Sequence, residues 1–194
     1  RHRNLVELHD LYVEGADVFF TMELVEGRDL VSYVRAGTPP GRVPAGAADR
    51  LHRALPQIVE GLDALHEAGK LHRDVKPSNI VVDGAGRVVL LDFGLVHEYR
   101  RPHEIEGIVG TVAYMSPEQA GGEALDARSD WYSVGVMIYE ALTGRLPFDG
   151  NPYATLLRKR VNDPLPPSRW ARGVPPDLEA LCLSLLHRDL RERG

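Results

Sequence analysis

Lysine and cysteine are both scarce in this chain of 194 residues. Three lysines, Lys70, Lys76 and Lys159, stand against twenty arginines. The single cysteine, Cys182, lies in the apolar run LEALCLSLL, which is typical of a packed free thiol. One cysteine excludes an internal disulfide framework and a cysteine metal cluster.

A net positive charge and long apolar runs are also lacking. The formal net charge is −5, whereas nucleic acids and acidic membrane surfaces call for a basic face. No apolar run reaches the roughly 20 residues of a membrane-spanning helix, and the first residues are not signal-like. We therefore expect a cytoplasmic location, with no nucleic acid and no membrane contact through this segment. A membrane anchor elsewhere in the parent protein stays open.

The first half of the chain predicts a small β unit followed by a long helix. Alternating apolar and polar residues around Glu14 and Gly15 indicate a hairpin. After the acidic link EGRD and a short helix, apolar residues at spacings of three and four predict a helix over 47–66. Pro56 lies inside that helix and is expected to kink it or delay its start. Strands at 80–82 and 88–91 are predicted to form a second hairpin.

The second half is predicted to be helical after a loop of poor periodicity that runs to about residue 122. The stretch 129–144 is apolar nearly all round, which indicates a buried central helix. Amphipathic helices are predicted at 152–161 and 177–187, and the basic run at 158–160 is interpreted as a solvated helix face. This order of elements favours an α+β fold with a helical body.

Polar side chains crowd around the second hairpin. Asp74 and Asn79 lie five positions apart, and Asp92 follows the second strand, which returns the chain toward Asn79. A carboxylate and an amide oxygen suit Mg²⁺ that is bound together with substrate phosphates. Asp74 would be left to accept a proton, and Lys76 could neutralise a transferring phosphoryl group. The set predicts phosphoryl transfer from a nucleotide.

Several longer motifs carry a family resemblance. The block HRDVKPSN at 72–79, followed by DFG at 92–94, resembles the catalytic loop and the metal-binding motif of protein kinases, in particular the bacterial eukaryotic-like Ser/Thr kinases. GTVAYMSPEQ at 110–119 resembles their substrate-docking segment. The resemblance implies a protein-kinase-like fold, with a small-lobe remnant and hinge at 1–25 and a helical large lobe, truncated near its C-terminal end, at 26–194.

The resemblance also implies roles in the reaction. Asp74 resembles the catalytic base, and Lys76 resembles the contact to the γ-phosphate of ATP. Asn79 and Asp92 resemble the Mg²⁺ ligands. Thr111 would bond near Asp74, as in kinases that phosphorylate Ser or Thr of a protein substrate.

Four further residues resemble the family's nucleotide pocket. The backbones of Glu23 and Val25 resemble the hinge that bonds adenine. Asp29 stands where an acid commonly contacts the ribose, and Val81 would form the floor under the base.

Five residues are implied to be structural. His72 and Phe93 resemble packing residues that align the site. Glu118 and Arg193 resemble the ion pair that anchors the docking segment, while Asp130 resembles the acid that braces the catalytic-loop backbone.

Arg73 resembles the arginine that pairs with a phosphorylated Ser or Thr in the activation segment. Residues 95–110 contain neither Ser nor Thr. We therefore expect Glu104 and Glu106 to supply permanent negative charge there, so that activation does not require phosphorylation of this segment.

The family's N-terminal motifs are not found in these residues. No lysine precedes Lys70, and no glycine-rich loop or helix glutamate partner is present. We therefore expect a partial chain that by itself binds ATP weakly and turns over little. A pseudokinase-like binding scaffold and a small-molecule kinase of related fold remain as alternative functions.

Overall fold

The structure is a computed structural model that describes residues 1–15, 17–92 and 111–194. The positions of Phe93, Glu104 and Glu106 in the sequence therefore lie outside the described residues. In the described ranges, no helix is both long enough and apolar enough to cross a membrane.

The first sheet is the predicted hairpin. Strands β1 (Leu8–Glu14) and β2 (Asp17–Met22) pair antiparallel and close with Glu14 opposite Asp17. Gly15 adopts a φ of 61°, which glycine tolerates without steric cost.

The second sheet has the order β3–β4–β5, with both pairs antiparallel: β3 (Gly27–Asp29), β4 (Ile80–Asp83) and β5 (Val88–Leu90). The predicted hairpin of β4 and β5 is confirmed within one residue at each end. Strand β3 falls in the link EGRD, for which no strand was predicted. Gly27 is required there, because a Cβ would lie 2.3 Å from the carbonyl oxygen of Val82.

Helices α1 (Leu30–Arg35) and α2 (Ala47–Glu67) follow β3. The predicted start of α2 is confirmed at Ala47, so Pro56 does not delay it. Pro56 lies on the exposed side of α2, while the apolar stripe faces the core.

The second half contains α3 (Pro117–Gly121), α4 (Ala127–Thr143), α5 (Pro152–Val161) and α6 (Pro176–Leu185). Helix α4 is buried on nearly all sides and packs against α1, α2 and α6, as its sequence predicted. Helix α3 was not predicted. It is held by a capping box in which Ser116 and Gln119 bond each other's backbone N–H groups. The α+β class is confirmed.

Candidate active site

Three of the predicted site residues meet in one hydrogen-bonded cluster on the loop between α2 and β4. Lys76 Nζ lies 2.7 Å from Asp74 Oδ2. The Asn79 side-chain amide donates to the backbone carbonyl of Asp74 at 2.8 Å and to Asp74 Oδ2 at 3.2 Å. The cation and the amide therefore fix the orientation of the Asp74 carboxylate.

The second carboxylate oxygen of Asp74 has a different environment. Asp74 Oδ1 is buried, and within the described ranges it has no hydrogen-bond partner. A buried acceptor without a donor is costly. This oxygen is therefore suited to accept a hydrogen bond from an incoming hydroxyl group.

A backbone hydrogen bond places Asp92 close to this cluster. The N–H of Leu91 donates to the carbonyl of Asn79 at 2.8 Å, so the chain leaving β5 runs beside Asn79. Asp92 itself is exposed and has a left-handed φ of 52°. Such backbone in a non-glycine residue is uncommon and often marks a functional position.

The donor chemistry of Asn79 and Asp92 fits Mg²⁺. The side-chain nitrogen of Asn79 donates to Asp74, which leaves Asn79 Oδ1 available as a metal ligand. Among the described residues, Asn79 Oδ1 has one contact, a long hydrogen bond of 3.4 Å from the Ser78 hydroxyl. Asp92 offers a carboxylate. One or two such oxygens are what Mg²⁺ takes from a protein when phosphates supply the rest. In the part of the chain that the structure describes, no group of three His, Cys, Asp or Glu residues could form an all-protein metal site.

Asp130 of α4 braces the loop from the opposite side. Its carboxylate accepts hydrogen bonds from the backbone N–H of His72 at 2.9 Å and of Arg73 at 2.8 Å. His66, at the end of α2, lies 2.9 Å from the same carboxylate. These contacts hold Arg73 in a left-handed φ of 66°, immediately before Asp74.

His72 is fully buried, and burial lowers the pKa of its imidazole. Neither ring nitrogen has a hydrogen-bond partner among the described residues. A neutral ring without partners has the properties of a packing residue rather than of a proton carrier.

The four residues expected to line a nucleotide pocket lie on β3, on β4 and on the segment between β2 and β3. Asp29 pairs with Val81 across the β3–β4 register, and Asp29 Oδ1 caps α1 by accepting from the N–H of Ser32 at 2.9 Å. Glu23 and Val25 lie on the segment between β2 and β3. Within the described ranges, no hydrogen bond or ion pair joins either of them to Asp74, Lys76 or Asn79.

Glu23 has its own contacts. Its carboxylate forms a two-point ion pair with Arg87, with N–O distances of 2.8 and 3.1 Å, and its N–H donates to the carbonyl of Glu7. The hydrogen bonds from Arg87 lower the pKa of Glu23. The segment is thereby tied to Arg87, the residue before β5, and to Glu7 near the start of the chain.

The expected docking segment is bonded through Gln119 to the loop that carries Asp74. The Gln119 side chain donates to the carbonyl of Arg73 at 2.9 Å. The backbone of Thr111 opens a single 3₁₀ turn, Thr111–Ala113, while the side chain of Thr111 lies outside the described part.

Glu118 and Arg193 form a buried two-point ion pair, with N–O distances of 2.6 and 3.1 Å. Ser129 also donates to Glu118, at 2.7 Å. Burial raises the pKa of Glu118, but the bonds from Arg193 and Ser129 lower it more, so the net pKa lies below its ordinary value. The pair joins α3 to the last residues of the chain.

Sequence reasoning missed three residues that hold the site: His66, Gln119 and Lys159. The interpretation of the basic run at 158–160 as a solvated face is wrong for Lys159, which is fully buried. The scarcity of lysine in this chain set Lys159 apart from its arginine neighbours, but it did not show that this residue would be buried.

Comparison with known proteins gives a consistent result. The model of the protein kinase domain matches residues 1–194. Serine/threonine-protein kinase PknL of Mycobacterium tuberculosis is 39% identical over 197 residues, which covers 99% of this chain and 47% of PknL. PksC of Streptomyces coelicolor is 36% identical, over 99% of this chain and 36% of its own length. PrkC of Bacillus subtilis is 34% identical, over 97% of this chain and 28% of its own length.

This chain thus spans less than half the length of these curated relatives, all of which are bacterial serine/threonine-protein kinases by name. The family match nevertheless extends from its first residue to its last. It includes the loop on which Asp74, Lys76 and Asn79 are joined by hydrogen bonds. The chain belongs to the protein kinase family.

Proposed function

We propose that this chain is the catalytic part of a protein serine/threonine kinase, which transfers the γ-phosphoryl group of Mg·ATP to a Ser or Thr hydroxyl of a protein. The observation that carries the proposal is the Asp74 carboxylate: Oδ2 is held by Lys76 and Asn79, while Oδ1 is buried and has no donor among the described residues. That arrangement suits a base waiting for a substrate hydroxyl.

In the proposed reaction, the substrate hydroxyl donates its hydrogen bond to Asp74. A new bond forms between the hydroxyl oxygen and the γ-phosphorus, and the bond from the γ-phosphorus to the bridging oxygen breaks. Asp74 takes the hydroxyl proton, and ADP leaves. Lys76, beside Asp74, neutralises charge on the transferring phosphoryl group.

Asn79 and Asp92 would hold Mg²⁺ through their side-chain oxygens. When bound, the ion offsets the negative charge of the phosphates during transfer. On the other side of the nucleotide, the backbones of Glu23 and Val25 would bond adenine. Val81 would lie under the base.

Asp29 is proposed to contact the ribose with the carboxylate oxygen that does not cap α1. Thr111 is proposed to lie near Asp74 on the protein-substrate side. The curated relatives, named as serine/threonine-protein kinases, support a protein acceptor.

The test is an acceptor panel. The full-length protein that carries this chain is incubated with γ-labelled ATP, Mg²⁺ and either a degenerate Ser/Thr peptide library or small hydroxyl acceptors. We expect label in peptide, and a loss of about 100-fold or more in kcat for Asp74→Asn, which removes the base. Asp63→Asn is the matched control, because Asp63 is exposed on α2.

Other outcomes would contradict the proposal. Nucleotide binding without transfer indicates a scaffold, and label confined to small acceptors indicates a small-molecule kinase. Equal loss in Asp63→Asn and Asp74→Asn would remove Asp74 from the chemistry.

A further inference from the structure

A buried lysine lies beneath the docking segment. Lys159 Nζ, on α5, donates to the backbone carbonyls of Val112 at 2.9 Å, Ala113 at 2.5 Å and Met115 at 2.8 Å. An ammonium group has three N–H donors, and here each has one carbonyl acceptor. The side chain is fully buried.

The remaining carbonyl of this stretch is held from a second helix. Ser133 of α4 donates to the carbonyl of Tyr114 at 2.8 Å. All four carbonyls from Val112 to Met115 therefore accept hydrogen bonds from side chains. These four carbonyls obtain their hydrogen-bond partners from side chains of α4 and α5.

The location of these four residues gives the contacts a functional meaning. They lie between Thr111 and Ser116, the N-cap of α3, and α3 is bonded through Gln119 to the loop that carries Asp74. The same stretch is the core of the segment proposed to dock the protein substrate. Its shape should therefore affect how the acceptor is held and leave the nucleotide side unchanged.

We propose that Lys159 is a positioning residue for the protein substrate: by binding the carbonyls of Val112, Ala113 and Met115 it fixes the docking segment and so sets the affinity for the acceptor. The inference rests on the proposed kinase function. Lys159 does not touch the reacting atoms and takes no part in phosphoryl transfer itself.

The geometry implies a pH dependence. Burial lowers the pKa of Lys159 to about 7. Above that pH the neutral amine keeps two N–H donors for three carbonyls, so one carbonyl loses its partner.

Among the described residues, the charged and titratable groups on the elements packed against α5 either form ion pairs with other residues or make no hydrogen bond to Lys159 or to the carbonyls that it binds. Glu118 of α3 is bonded to Arg193, and Glu123, after α3, is paired with Arg160. The Tyr132 ring of α4 lies 5.7 Å from Lys159 Nζ. The expected pH effect on acceptor binding is therefore assigned to Lys159.

The experiment measures steady-state kinetics of the full-length protein with one peptide chosen from the library. For Lys159→Met we expect KM for the peptide to rise about tenfold, the equivalent of about 1.4 kcal/mol, while kcat and KM for ATP change less than twofold. Arg158→Met is the matched control, because Arg158 is exposed on the same helix.

A pH series and a second variant keep the test decisive. Between pH 6 and 9 the wild-type KM for peptide should rise, and that of Lys159→Met should stay level. Should Lys159→Met fail to fold, Ser133→Ala, which frees the Tyr114 carbonyl, should raise KM for peptide in the same direction, and the wild-type pH series still reports on Lys159.

Unchanged peptide KM in Lys159→Met, or a wild-type KM that does not vary with pH, would overturn the inference. If the wild-type protein transfers no phosphoryl group to any peptide, the proposed function fails instead.

Discussion

The carboxylate of Asp130 accepts a hydrogen bond from the backbone N–H of Arg73 at 2.8 Å, and Arg73 has a left-handed φ of 66°. This backbone conformation costs about 1–2 kcal/mol in a residue with a side chain. A buried carboxylate on α4 thus compensates strain at the residue that precedes Asp74.

Asp130→Asn tests that relationship. An amide offers one acceptor oxygen in place of two, so either His72 or Arg73 loses the partner of its N–H. We expect the free energy of unfolding to fall by about 1–3 kcal/mol. We also expect kcat to fall by a larger factor than any change in KM for ATP. Denaturant titration and kinetics check both, with Asp63→Asn as the exposed control. An unchanged kcat in a stably folded variant would show that Asp130 is not needed to position Asp74.

The ion pair of Glu118 with Arg193 is expected to matter for stability. Glu118→Gln leaves the Arg193 guanidinium buried without its counter-charge, and breaking such pairs costs about 3–5 kcal/mol. The free energy of unfolding from urea titration measures this. Glu123→Gln, which breaks the exposed pair with Arg160, should cost less than about 1 kcal/mol. Equal costs for the two variants would contradict a special role for the buried pair.

His72 should make the fold sensitive to mild acid. Burial lowers its pKa in the folded state below the ordinary value of 6.5, so the unfolded state binds the proton first. As pH falls below about 6.5, this residue therefore lowers the free energy of unfolding. In His72→Leu, this part of the pH dependence should vanish between pH 6.5 and 5, with no loss of stability at pH 7.5. Denaturant titrations across that range measure it; a steeper acid dependence in His72→Leu would contradict the assignment.

Asp92 is expected to set the requirement for Mg²⁺. Asp92→Asn keeps an oxygen ligand but removes its negative charge, so more Mg²⁺ is needed for half-maximal rate. We expect that concentration to rise at least tenfold, with KM for peptide unchanged. A Mg²⁺ titration at saturating peptide measures the shift, and Asp83→Asn, at the last residue of β4, serves as a carboxylate control. The same Mg²⁺ midpoint in wild type and Asp92→Asn would rule out Asp92 as a ligand.

The sequence predicted those elements that depend on local pattern. The β4–β5 hairpin and α2 are within a residue or so of their predicted bounds, because turn residues and apolar spacing determine them. Strand β3 was missed because Gly27, Arg28 and Asp29 have no strand preference of their own; they become a strand by pairing with β4.

The same difference between local and long-range contacts explains which site residues the sequence predicted. Asp74, Lys76 and Asn79 lie within six positions, so their proximity could be predicted from the sequence alone. Lys159 could not be interpreted correctly, because its carbonyl partners lie 44 to 47 residues earlier in the chain. Only the tertiary packing of α5 under the docking segment shows that a residue in a basic run is buried.

The most direct test of the account is identification of the phosphorylated residue by mass spectrometry. The full-length protein, ATP and Mg²⁺ are incubated with the peptide library, in parallel with Asp74→Asn. The account predicts phosphoserine or phosphothreonine in peptides treated with wild type, and a loss of at least 100-fold in the variant. Phosphate on neither residue, or equal yields from wild type and Asp74→Asn, would contradict it.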